Sequence, residues 1–199
     1  MLPHSSIHYY VDWAKERLDE MDATIASFEG KVGGVEAASR EKADKVLHDL
    51  RKQRDNFQAT IKKQSDANEA AWISAKPKLE AAWNSFEAEV KAYIGGFGKQ
   101  VEHQQATFKL QAAAQVKAWR QAVDKLQGDS KQFAAERRGE IDAALQRMNA
   151  DAAAAEEKLQ KLNLAGTQSW SALMAALTET RAIFDRANHA ALEAFKRAA

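Results

Sequence analysis

The sequence contains no cysteine and only two prolines and nine glycines among 199 residues. Without cysteine the chain has no disulfide, no thiolate metal ligand and no cysteine nucleophile, which is typical of the cytoplasm. Few helix breakers and abundant Ala, Glu, Lys and Gln favour helices, and Val, Ile and Thr never alternate as they do in strands. We therefore predict an all-α protein with a cytoplasmic location.

Strong net charge and long apolar runs are also missing. The formal charge of +1 argues against a dedicated nucleic-acid-binding protein, which carries a clear basic excess. No run of 18 apolar residues is present, as a membrane-spanning helix requires. Residues 1–6 lack the basic and apolar regions of a secretory signal. We expect no specific nucleic-acid partner and, at most, peripheral contact with a membrane.

Recognisable catalytic and metal-binding patterns are absent too. His4 and His8 are four residues apart, but no third ligand accompanies them. The Glu-x-x-His signature of di-iron bundles does not occur, and Gly95–Lys99 lacks the spacing of a phosphate-binding loop. We predict that the protein is not an enzyme and has no catalytic residues, no cofactor and no metal.

A hairpin is predicted by the apolar residues on either side of Gly95 and Gly96. If two helices run antiparallel from this turn, facing residues have numbers that add up to about 191. Large residues meet large residues under this rule, as in the layers of an antiparallel coiled coil. The matching pairs are Val90 with Val101, Trp83 with Phe108, Trp72 with Trp119, Phe57 with Phe133, and Leu50 with Ile141.

The terminal helices are predicted to pack on the lower half of this hairpin. The sequence then forms one all-α domain, 1–199, with a four-helix base bundle (7–57 and 133–198). Residues 58–132 form an elongated two-helix stalk whose tip lies at 94–98. The row of apolar residues along each arm is interrupted near Gln64 and near Gly128. The alternative is therefore a stalk that folds back at this level.

Five aromatic residues of the stalk are candidates for self-association. A two-helix coil covers only part of such rings, so a partner is expected to cover the rest. We predict a homodimer formed by antiparallel packing of two stalks; the alternative is that the folded-back stalk buries the rings within one monomer. The five residues are Trp72, Trp83, Phe86, Phe108 and Trp119.

The predicted tip contains Tyr93, Ile94 and Phe97, although an exposed turn is normally polar. These residues either cap the end of the coil or meet the other subunit, or else they contact a membrane or granule surface or dock on a partner. We favour the cap, since small apolar caps are common.

A weak internal repeat is also present. Trp72, Trp119 and Trp170 are each followed 14 residues later by a phenylalanine. A heptad seam produces such spacing by itself, and duplication of a helical unit is the alternative.

Two functions agree with these features. The first is a non-enzymatic structural or interaction protein that self-associates as a helical scaffold or adaptor. The alternative is a peripheral protein of lipid or granule surfaces, because the cysteine-free, alanine-rich helical composition is similar to that of phasins and apolipoproteins. That resemblance implies amphipathic helices that open onto a lipid droplet or polymer granule.

Overall fold

A computed structural model describes residues 5–64, 67–99, 101–166 and 168–199, apart from the side chains of Ser5 and Ser6. Within these ranges the chain forms six long helices and no strand, which confirms the predicted all-α class. None of these helices is both long and apolar enough to cross a lipid bilayer. They are α1 (Ser5–Glu29), α2 (Ala37–Gln64), α3 (Glu69–Phe97), α4 (Val101–Ser130), α5 (Ala135–Ala165) and α6 (Trp170–Ala198).

Local capping residues mark several helix ends. The Asn68 side chain accepts a hydrogen bond from the Ala71 backbone N–H (3.0 Å) and so starts α3. Ser169 caps α6 in the same way, and Gly166 ends α5 at a φ of 67°, a conformation that glycine adopts without steric cost. These breaks allow the chain to fold back several times over similar lengths.

The first three helices pack around one apolar core, with α2 against both α1 and α3. This core contains Trp13, Phe28, Phe57 and Trp72. The last three helices enclose two smaller clusters, in which α5 packs against α4 and α6. The chain is therefore built from an N-terminal and a C-terminal group of three helices.

The two groups meet where α1 packs against α4 and α6. Ser27 on α1 contacts Thr107 on α4, and Asp12, 15 residues earlier on α1, is paired with Lys125 of α4. The residue numbers rise on one helix as they fall on the other, so α1 and α4 are antiparallel. This contact holds the two halves together.

The two halves repeat with a spacing of 98 residues. Ala37 begins α2 and Ala135 begins α5, and 135 − 37 gives 98. The same spacing relates buried residues of α3 and α6, including Trp72 to the partly buried Trp170, and the buried Phe86 to Phe184. Trp119 lies on α4 and does not belong to this series, so the structure contains two units rather than three.

The predicted central hairpin is not formed. The helix is interrupted at residues 67–68 and again at 131–134, and in the described residues α3 does not pack along α4. Trp72 and Trp119 lie in different core clusters, so residues 58–132 are not a projecting stalk. The physical reason is burial: folding back covers rings that a two-helix coil would leave partly exposed.

The predicted four-helix base is also replaced by another arrangement. Phe133 does contact Phe195, with ring centroids 5.6 Å apart, and α5 and α6 pack against each other. However, Phe57 belongs to the N-terminal core and Phe195 to the C-terminal one, and α2 does not pack on α5 in the part described. The terminal helices therefore complete two three-helix groups instead of one common base.

Candidate functional site: a buried polar network beneath an open groove

Buried polar side chains are concentrated on one face of α1. They recur every three or four residues, which places them along one side of the helix. The neighbouring side carries Met21, Ile25 and Phe28, which face the N-terminal core. The polar set comprises Asp12, Glu16, Arg17, Glu20, Thr24 and Ser27.

Helix α4 presents a matching row with four-residue spacing. The Thr107 hydroxyl lies 2.8 Å from that of Ser27, and the Gln111 amide donates to the Thr24 hydroxyl (2.8 Å). One turn further, the Gln115 amide donates to Glu20 Oε2 (3.1 Å). Because each buried polar group here needs its partner, the row fixes the register of α1 against α4.

Arg181 of α6 lies at the centre of the network and is only 5% exposed. It donates to Glu20 Oε1 (2.9 Å) and Oε2 (3.2 Å), and its other arm donates to Glu87 of α3 (3.0 Å). Its guanidinium lies 4.6 Å from the centroid of the Trp83 ring. Burial alone would lower the pKa of Arg181, but the carboxylates of Glu20 and Glu16 outweigh it and raise that pKa. Arg181 thus joins α1, α3 and α6.

Arg17 forms a second centre beside the first. Its guanidinium donates two hydrogen bonds to Asp185 (2.8 and 2.6 Å) and one to Glu16 (3.0 Å). It also lies 4.6 Å from the centroid of the Trp13 ring. Two N–H groups of the planar Arg17 guanidinium face the two carboxylate oxygens of Asp185, which is the strongest geometry for an arginine–carboxylate pair.

The network has the chemistry of a structural element. Glu16 and Glu20 are fully hidden, and both interact with arginine. In the described ranges no group of three or more His, Asp or Glu side chains has a metal-binding arrangement. Burying paired charges costs desolvation energy, so we expect this network to contribute more to the choice of helix partners than to stability.

The pKa of Glu16 is raised to about 8, chiefly because burial disfavours the carboxylate. Arg17 and Arg181 lower it, while Glu20 and Asp185 raise it further. Between pH 4.5 and about pH 8, the folded chain keeps a proton on Glu16 that the unfolded chain has released. We expect the free energy of unfolding to fall as pH rises between these values, by up to about 1.4 kcal/mol per pH unit, and to level off above them.

Urea unfolding at several pH values between 5 and 8.5 measures this slope. The variant Glu16→Gln should show a flatter dependence and should gain stability at the alkaline end, whereas Glu140→Gln, at an exposed site, should behave like the parent chain. The buried Asp12, whose pKa is also raised by burial, accounts for a remaining slope of the same sign. An unchanged slope in Glu16→Gln would contradict the assignment.

An open groove lies above this network, between α3 and α6. These two helices do not pack against each other in the described part of the chain, although each packs against α1. Trp83, Phe86 and Val90 line the α3 side, and Trp170 and Met174 line the α6 side. Further along, the groove becomes charged, with Arg17, Arg181 and Asp185 among its lining residues.

The five residues predicted for self-association are all buried within the monomer. Their exposed fractions run from 0% for Trp72 and Phe108 to 5% for Trp83. Burial within one monomer agrees with the folded-back alternative, although the stalk hairpin itself is not formed, and incomplete burial no longer argues for a dimer. Trp83 and Phe86 still border open space, since both line the groove.

The three predicted tip residues lie at the end of α3. Tyr93 and Ile94 are buried, and the Tyr93 ring stacks on Phe28 with centroids 4.0 Å apart. Phe97 is partly buried and packs against the same core. Contact of Tyr93 or Ile94 with a lipid surface would require this end of the core to open.

The histidines within the described ranges do not converge. His103 is buried edge-on against Phe28, and its pKa is lowered by burial and by Lys31. His8 lies 3.0 Å from Asp129, and His189 packs edge-on against Tyr9. His4 lies outside the described residues.

Sequence reasoning missed the polar network, although a signal for it exists. Glu16, Glu20 and Thr24 share one face of α1, and Thr107, Gln111 and Gln115 share one face of α4. In sequence, such rows resemble solvated helix faces. The one sign that they face each other is that the numbers of matching residues, one from each helix, add up to about 135, as in an antiparallel pair.

Comparison of the chain with protein-family models, with curated proteins and with solved structures finds no match.

Proposed function

We propose that this protein is a non-enzymatic interaction protein that self-associates through the face formed by α3 and α6. The observation that supports the proposal is the open groove between these helices, whose walls are aromatic and aliphatic. In each half of the described chain, helices that follow one another in sequence pack side by side. Helices α3 and α6, by contrast, do not pack against each other and leave the groove between them.

The outer surface of α3 has the composition of an interface. Its exposed residues are mostly small or uncharged, such as Ala81, Ala88 and Ala92. Lys78 and Lys91 are the exposed charges, and the glutamates of α3 and Lys76 are partly exposed. Depletion of charge is the main compositional feature of the centre of a protein–protein interface.

The size of this face also suits a dimer. Helices α3 and α6 contain 29 residues each, which corresponds to a length of about 44 Å. Two helices of about 10 Å diameter side by side offer about 900 Å² per copy, close to the usual 800 Å² per partner. In a two-fold dimer the same face occurs on both copies, so α3 of one copy can cover the groove beside α6 of the other.

Light scattering after size exclusion tests self-association. We expect a concentration-dependent mass that approaches twice the 22.0 kDa of one chain. Ala175→Glu places a charge at the groove and should weaken association at least about tenfold, equivalent to about 1.4 kcal/mol. Ala190→Glu, at an exposed site of α6 outside the groove, is the matched control and should associate normally. A mass of 22.0 kDa at every concentration would exclude the proposal.

A lipid- or granule-surface role remains the alternative prediction. Flotation of the chain with liposomes tests it directly. Recovery with liposomes in the absence of self-association would favour this alternative over the scaffold.

A further inference from the structure

A second groove lies between α4 and α5, and its floor is apolar. Ala112 and Leu159 are buried in this floor, and Val116 is partly buried against the same cluster. The volume of this α4–α5 groove is about 460 Å³, within the range of small-molecule sites. Among the residues that the structure describes, none lines both this groove and the groove between α3 and α6, so the two are separate sites.

Two lysines without an acidic partner border one end of the α4–α5 groove. Lys109 and Lys117 are exposed, and neither forms an ion pair within the described part of the chain. Ala113 lies midway between them, about 6 Å along the helix from each. Because the alanine side chain is small and the lysine side chains are long, both ammonium groups can reach one anion above Ala113.

The other polar residues of the groove leave this end basic. Helices α4 and α5 pack side by side across a short connection and so run antiparallel, which places the neutral amide of Asn163 at the Lys109 end. Glu156 already accepts hydrogen bonds from Arg120 and Gln160. Asp124 belongs to the opposite end, which is therefore neutral to acidic.

The dimensions of the α4–α5 groove suit an elongated small molecule. Its α4 wall runs from Lys109 to Asp124, about 22 Å, and at the width of one helix this corresponds to about 200 Å². A stable protein interface buries about 800 Å² on each partner, so the groove is too small for a protein. Its apolar floor and single basic end match a ligand with an apolar body and one anionic end.

We propose that the α4–α5 groove binds a fatty acid. The acyl chain lies over Val116 and Leu159, and the carboxylate lies above Ala113 between Lys109 and Lys117. Transfer of the chain from water to the apolar floor stabilises the complex, and the ammonium groups donate charge-assisted hydrogen bonds to the carboxylate. The groove is complete within one chain, so this site does not depend on the proposed self-association.

Binding of dodecanoate and of dodecyltrimethylammonium to the full chain tests the proposal, by calorimetry below the concentrations at which they form micelles. The two probes have alkyl chains of similar length and head groups of opposite charge. We expect dodecanoate to bind at least about tenfold more tightly, because only a carboxylate pairs with the lysines. Failure of dodecanoate to bind at millimolar concentration, or equal affinity for both probes, would overturn the proposal; adsorption of alkyl chains to any apolar surface gives the latter result.

Ala113→Glu locates the site. The new carboxylate is four residues from Lys109 and from Lys117 and pairs with both, so it occupies the place of the ligand carboxylate without disturbing the helix. We expect dodecanoate to bind at least about tenfold more weakly. Ala150→Glu, at an exposed alanine of α5 outside the groove, is the matched control and should leave binding unchanged. Full dodecanoate binding in Ala113→Glu would place the ligand elsewhere and refute the proposal.

Removal of the two lysine charges provides an independent variant. Lys109→Gln/Lys117→Gln should weaken dodecanoate binding at least about fivefold, the loss expected for two exposed ion pairs. Lys158→Gln/Lys161→Gln removes the same charge from lysines that already form ion pairs outside the groove, and should leave binding unchanged. Equal losses in both variants would show that net charge alone attracts the probe and would contradict the proposal. The mass of the chain, measured in parallel, reports on self-association separately.

Discussion

Arg181→Met is expected to lower the free energy of unfolding by about 3–5 kcal/mol, measured by urea denaturation at pH 7. The substitution keeps much of the side-chain volume but removes the partner of the buried Glu20 and of Glu87. An unpaired carboxylate at a site with 0% exposure is strongly destabilising. The contact between the guanidinium and Trp83 is lost at the same time.

Two further variants separate charge from packing. Arg197→Met breaks a pair with Glu140 in which both side chains are exposed, and should cost less than about 1 kcal/mol. Adding Glu20→Gln to Arg181→Met removes the unpaired charge and should recover part of the loss. If Arg181→Met costs no more than Arg197→Met, the network does not hold the two halves together.

The double variant Ser27→Cys/Thr107→Cys is expected to form a disulfide between α1 and α4. The two hydroxyl oxygens are 2.8 Å apart, and the residues are separated by 80 positions in sequence. Closing a loop of this size should raise the free energy of unfolding by about 2–4 kcal/mol. Because the chain has no cysteine of its own, no other thiol competes. Mobility on non-reducing gels and melting with and without reductant provide the measurement.

Leu50→Cys/Ile141→Cys is the matched control, since the predicted hairpin places these residues face to face. In the structure they lie in different core clusters and should remain reduced. A disulfide in the control and none between positions 27 and 107 would restore the hairpin and refute the present packing of α1 on α4.

Helix content and several turns could be predicted from sequence because their signals are local. Glycines and a polar cap mark where α1, α5 and α6 begin or end, and the pairing of Phe133 with Phe195 follows from the short connection between α5 and α6. Asn68, which caps α3, lies in the polar stretch that follows Gln64, and from sequence alone such a stretch also agrees with a hinge within one long arm.

The central topology could not be predicted from sequence because the spacing of apolar residues agrees with more than one pairing of the helices. A heptad seam repeats every seven residues, so Trp72 can be matched with Trp119 across one turn as easily as with Tyr10 in a parallel neighbour. The structure chooses the second, with the Tyr10 and Trp72 rings stacked at 6.1 Å. The choice between these two pairings depends on which one buries both faces of the ring, and this burial depends on the whole fold. The groove beside Trp83 could not be predicted from sequence either, because it also depends on the whole fold.

The repeat of 98 residues makes the two halves alike in outline but not in chemistry. The polar groups that α6 contributes are Thr180, Arg181 and Asn188, and the positions 98 residues earlier on α3 are Ala82, Trp83 and Val90. In two N-terminal halves brought together in the same way, Trp83 would take the place of Arg181, and Arg17 would take the place of Gln115 beside Glu20. The two halves are therefore related by the repeat but contribute different polar groups to the interface that they share.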